Sequence, residues 1–147
     1  MAATILHEDT FDRSEYAAEL DSAPRNLDVG ARLWLENDHV RVWEVRLQPG
    51  ERGPFHAHTR RYFWTVVDGG IGRQRTADGT MITREYHVGD TNYSEHSPDE
   101  PLIHDLENVG ESQIVVGAGL PVTRADGRTR VALLAYFSYE RPFRSLH

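Results

Sequence analysis

From Arg32 onward, short β-rich runs recur between turn signals, several with alternating apolar and polar positions: RLWLE, HVRVWEVRL, YFWTVV, IGRQRT, TMITREYHV, TNYS, PLIHDLEN, QIVVGAG and VALLAYFSYE. A period of two sends successive side chains to opposite faces, so each run predicts a short strand rather than a helix. The breaks END, QPGERG, DGG, ADGT, VGD and HSPDEP carry turn chemistry. Asp78-Gly79, between GRQRT and TMITREY, predicts a hairpin closed by a tight primed turn. Many short antiparallel strands joined this way form a sandwich or barrel. Trp43, Val45 and Leu47 share one strand face and read as core. The closing run VALLAYFSYE is apolar on both faces, as in a strand covered by a second sheet or a partner subunit, and it predicts a homodimer. Helical spacing occurs only at Ser14 to Leu20, where Asp12 or Ser14 can cap the start and Pro24 stops the end. The reading is therefore an N-terminal arm over residues 1–28 with one candidate helix, followed by an all-β domain over 29–147.

Composition narrows the chemistry. A chain of 147 residues with 39% hydrophobic content fits one domain with its own core. There is no cysteine, which removes disulfides, thiolate metal sites and cysteine nucleophiles. All 16 basic residues are arginine, so lysine bases and Schiff bases are excluded as well. A net charge of −7 argues against nucleic acid or an anionic membrane as partner. The opening MAATILHEDTFDRSEYAAELD does not read as a secretory signal, and no run is long enough to span a bilayer. The expectation is a soluble cytoplasmic protein with a small-molecule partner, in which histidine, acids, tyrosine or a metal does any chemistry.

His56 and His58 stand two residues apart in PGERGPFHAHTRRYFWTVVDGG. Side chains at that spacing share a face only in extended chain. Around them Gly50, His56, His58, Tyr62 and Gly69 fall at fixed intervals, and later Gly89, His104 and Asn108 do the same. These two motifs resemble those of the cupins, small jelly-roll barrels that often hold one metal. Two departures stand out: Tyr62 occupies the slot of the usual acidic residue, and Pro101 replaces a glycine three residues before the histidine. The chain is similar in this to a cupin subgroup filed with β-alanine degradation, which also has an aromatic in the acidic slot.

The resemblance implies a single cupin jelly roll with one divalent transition metal, iron first and zinc, nickel, manganese, cobalt or copper as alternatives, held by His56, His58 and His104. Without it, the same histidines read as polar groups at a barrel mouth, bonded to carbonyls or water. Tyr62 keeps three readings: a phenolate ligand, a hydrogen-bond donor to substrate with a catalytic role, or a wall residue. Trp64 and Val66 share its face and suggest an apolar pocket wall. Arg73 and Arg75 share one face of their strand, binding a substrate carboxylate if that face points inward and forming a solvated edge if it points outward. His96 is a candidate for the pocket rim. The implied function is a three-histidine, iron-dependent dioxygenase acting on a small carboxylate or enolizable substrate. A non-catalytic anion-binding module and a metal-assisted lyase, isomerase or hydrolase are the alternatives.

Overall fold

The computed structural model describes residues 3–122. The run VALLAYFSYE, and the partner contact expected of it, lie outside the described residues. Among the described residues, ten strands form two five-stranded antiparallel sheets. One contains, in spatial order, β1 (Thr4–Thr10), β7 (Thr80–Tyr86), β6 (Gly70–Arg75), β9 (Leu102–Asn108) and β4 (Arg52–His58). The other contains β2 (Arg32–Glu36), β3 (Val40–Leu47), β10 (Ile114–Pro121), β5 (Tyr62–Asp68) and β8 (Thr91–Ser94). This is the all-β jelly roll that the alternating runs predict. Val66, Ile114 and Val116 of the second sheet pack with Tyr86 of the first, and Trp64 meets the Tyr86 ring edge-on at 5.8 Å. The sheets are thus joined by an apolar cluster, and the space beyond it is left as a cavity.

Three local expectations change. The Asp78-Gly79 hairpin has a three-residue loop, with Thr76 and Thr80 paired at its base. A type I′ turn needs positive φ at both central residues, yet only Gly79 has it (φ 99°), and the Asp78 carboxylate instead accepts from the Thr80 backbone N–H at 2.9 Å. The arm begins with β1, which pairs with β7 from Thr4 to Thr10. All seven of its residues are exposed, so no apolar stripe announced it. The helical stretch is a 3₁₀ turn (Arg13–Tyr16) capped by Asp12, then α1 (Ala17–Ser22) and a second 3₁₀ turn (Ala23–Arg25) that takes up Pro24 in its first turn. A proline lacking its N–H is tolerated there.

Asn108 closes the motif around β9. It is fully buried, and its amide donates to the carbonyls of Leu47 (2.9 Å) and Ser112 (2.8 Å) while its oxygen accepts from Gly110 N–H (3.0 Å). These bonds tie three chain segments, which makes Asn108 a clasp rather than a ligand. Asn108→Ala leaves two carbonyls and one N–H without partners. The expected loss is about 2–4 kcal/mol in urea unfolding, and a midpoint equal to that of the wild type overturns the assignment.

Candidate metal centre

His56 and His58 lie on β4 and His104 lies directly opposite His56 on the neighbouring β9. A bulge sets this up. Gly53 pairs with Leu106 and His56 with His104, so β4 has one residue more than its partner between those points. Pro54, which cannot donate to a ladder, sits within it. The extra residue reverses the alternation, so that Phe55 turns outward and His56 and His58 turn into the space between the sheets. The Pro54 carbonyl then receives Nδ1 of His56 at 3.0 Å, which assigns the proton to Nδ1 and leaves Nε2 free to ligate.

The three Nε2 atoms converge. His58 Nε2 lies 3.0 Å from that of His56 and 2.9 Å from that of His104. Bonds of about 2.1 Å at right angles place neighbouring nitrogens about 3.0 Å apart, whereas a tetrahedral angle places them about 3.4 Å apart. The two edges at His58 fit right angles at one ion, and all three nitrogens lie within 4.8 Å of one another, so they can share it. Burial lowers the pKa of all three, to about 2 at His58, so the rings are neutral and their lone pairs available at neutral pH. Nδ1 of His58 and of His104 is buried without a partner. Among the described residues no carboxylate joins the group.

Tyr62, on the facing sheet, is 4% exposed and its ring lies parallel to that of His58 at 3.8 Å. Burial raises its pKa to about 12, against a hydrogen bond from Ser94 that favours the ionised form. The phenol is therefore protonated at neutral pH and presents its face to His58, which argues against a phenolate ligand. Tyr62, Trp64 and His96 all line one cavity of about 710 Å³ together with the three histidines. His96 stands 5.9 Å from the Tyr62 ring and bonds Ser94 Oγ at 3.0 Å. Trp43 and Val45, read as core, form part of the cavity wall.

No protein-family model matches the chain, and no curated protein matches it. Solved structures do. A cupin domain from Bordetella pertussis superposes with a TM-score of 0.55 at 20% identity, over 65% of this chain and 95% of that one. A protein with a double-stranded β-helix domain from Klebsiella pneumoniae gives 0.50 at 21% identity, over 69% and 86%. The chain has the fold of these cupin and double-stranded β-helix domains. An RmlC-like cupin family protein from Methanocaldococcus jannaschii gives 0.50 at 14% identity, over 67% and 84%. At such identities the likeness concerns fold alone, and the chemistry must come from the site.

In this chain, Arg73 and Arg75 do not line the cavity, which corrects their reading as substrate ligands. Their neighbours in the ladder show why: Gly72 and Gln74 face inward with Arg84 across the strand pair, and the odd-numbered residues of β6 face out. Arg75 is nevertheless buried, because the N-terminal arm covers that face and Asp105 and Glu107 take its guanidinium at 3.0 and 2.6 Å. The cavity's own polar lining includes Gln74, Arg84, Asn92 and Ser94, none of which the sequence reading selected. The signal for Arg84 was its even-numbered place beside Tyr86 in REYHV, legible only once the facing of β7 is known.

Proposed function

We propose that this cupin binds one divalent transition metal through His56, His58 and His104 and uses it as a three-histidine, iron-dependent dioxygenase on a small carboxylate or enolizable substrate. The observation that carries this reading is the convergence of three neutral imidazole nitrogens, with no carboxylate beside them among the described residues, on the wall of a cavity of about 710 Å³. Such a volume suits a small molecule. A bound ion would supply Lewis acidity and, as iron, redox chemistry towards dioxygen. Neutral ligands leave the ion's charge undiminished, which favours anionic oxygen donors on the substrate. Tyr62, protonated and stacked on His58, donates a hydrogen bond to substrate held beside that ring. A homodimer belongs to the same reading, supported by Ile5 and Leu6 of edge strand β1, which are 50% and 48% exposed. Light scattering tests it as a mass twice that of the chain. Among the described residues no helix is long and apolar enough to cross a membrane.

The test of function is elemental analysis of tag-free protein purified without added metal, followed by oxygen uptake with a panel of small keto and hydroxy acids. Iron together with substrate-dependent uptake supports the oxygenase. Zinc with no uptake rejects it in favour of a lyase, isomerase or hydrolase, and failure to retain any ion leaves an anion-binding module. Tyr62→Phe separates the roles of its ring and hydroxyl. It is expected to keep metal content and fold while lowering turnover or ligand affinity about tenfold, since only the donor is lost. If metal content, affinity and turnover all match the wild type, Tyr62 is a wall.

A further inference from the structure

We propose that Arg84 is a second recognition point of the cavity, so that its ligand carries a carboxylate at the end remote from the three histidines. This deepens the substrate class of the proposed function and rests on that reading for the metal end only. Arg84 lies on the inner face of β7, half-buried, and lines the cavity. Among the described residues it makes no ion pair, whereas Arg46, Arg52 and Arg75 each hold a carboxylate within 3.0 Å. The neutral Tyr86, a residue of the apolar cluster, is its neighbour on the same face of β7. A guanidinium drawn from water and given only a neutral partner is costly, and a ligand anion supplies what the protein does not. The planar fork suits a carboxylate in two-point contact.

The ladder fixes where this anchor stands relative to the histidines. His104 bridges Thr76, Thr76 pairs with Thr80 across the hairpin, and Arg84 lies four residues further along β7. The two backbones are separated by roughly 13 Å along the strands and about 10 Å across two strand spacings. Both side chains line the same cavity, together with Tyr62. A short-chain molecule with an oxygen-chelating group at one end and a carboxylate at the other spans that gap. Gln74, which lines the cavity from the neighbouring β6 two residues beyond Gly72, the partner of Arg84, offers an amide along the path.

The experiment uses zinc-loaded protein, a redox-inert form, and measures calorimetric affinity for 2-oxoglutarate and for 2-oxopentanoate, which lacks the distal carboxylate. Wild type is expected to prefer 2-oxoglutarate at least about tenfold, and Arg84→Gln to lose that preference with zinc content and melting unchanged. Arg84→Lys, which keeps the charge and loses the fork, should fall between the two. Equal affinities in wild type, no binding of either acid at millimolar concentration, or a preference retained in Arg84→Gln overturns the proposal. Metal-free protein is titrated in parallel with succinate. Arg84-dependent succinate binding in a chain that retains no metal supports the anchor while rejecting the metal reading, so the two fail separately.

Discussion

His58→Ala abolishes stoichiometric metal binding, with affinity lowered by more than about 100-fold, because alterations outside the ligand shell alone cost 10–100-fold. His58 is the sharpest choice of the three. Its Nε2 is the shared neighbour of the other two, at 3.0 and 2.9 Å, so its loss leaves His56 and His104 as a pair without the nitrogen that completes the facial set. The fold is expected to survive. A buried ring is deleted, but so is a buried Nδ1 that has no partner, and relief of that unsatisfied group offsets part of the cavity cost. His96→Ala is the control: it lines the same cavity, bonds Ser94, and should retain full metal content. The measurement is metal-to-protein ratio after dialysis, with circular dichroism to verify the β fold. Full occupancy in His58→Ala removes it from the site. Metal added to wild type should also raise the melting temperature, an effect missing in the variant, since an ion bound only by the folded state stabilises it by mass action.

The strands were legible because short β-rich runs stand between turn signals, and some, such as β3, also write their burial as alternation. RLWLE, YFWTVV and QIVVGAG fall within β2, β5 and β10 almost to the residue. The histidines were legible for a different reason: the glycines around them mark turns that only extended neighbours require, and Gly50 and Gly89 both adopt positive φ at the ends of their loops. Facing was less legible. Arg73 and Arg75 alternate with Gly72 and Gln74, and alternation alone does not say which set faces in. In β6 the inward positions hold glycine and an amide, while the arginines face outward, Arg75 under the arm. The hydrophobicity of the strand thus gave no vote, and only the acids on β9 that pair with Arg75 reveal its direction. β1 escaped notice because an edge strand bound through its backbone needs no apolar face. Position 54 was illegible too: the bulge that turns His56 inward is a property of the β4 to β9 register, not of any residue taken singly.

Asp105→Ala is expected to destabilise the protein by about 3–5 kcal/mol, the typical penalty for breaking a buried ion pair from one side. Asp105 is fully buried next to His104 but on the opposite face of β9. One oxygen accepts from Arg52 Nε at 2.6 Å and from the Arg75 guanidinium at 3.0 Å, and the other accepts the backbone N–H of Arg75 at 2.7 Å. Arg52 continues to Glu19 of α1, and both guanidinium groups lie over the Tyr16 ring at 4.7 and 5.1 Å. The arm is therefore clamped onto the outer face of the strands that carry the histidines, through a cluster whose central acceptor, Asp105, is fully buried while Glu19 and Glu107 are partly exposed. Removing the carboxylate strands a backbone donor and leaves two cations facing each other with only Glu19 and Glu107 to balance them. Asp105→Asn keeps one acceptor for the Arg75 N–H and should recover part of the loss. Because the damage lies behind the metal centre and not within it, excess metal should restore some stability to Asp105→Ala and none to a variant that also lacks His58. Urea unfolding with chelator and with saturating zinc reads both effects. An Asp105→Ala midpoint within error of the wild type in chelator would show that the cluster contributes no net stability, and that the arm is held by the pairing of β1 with β7 and by its aromatic contacts with Phe55.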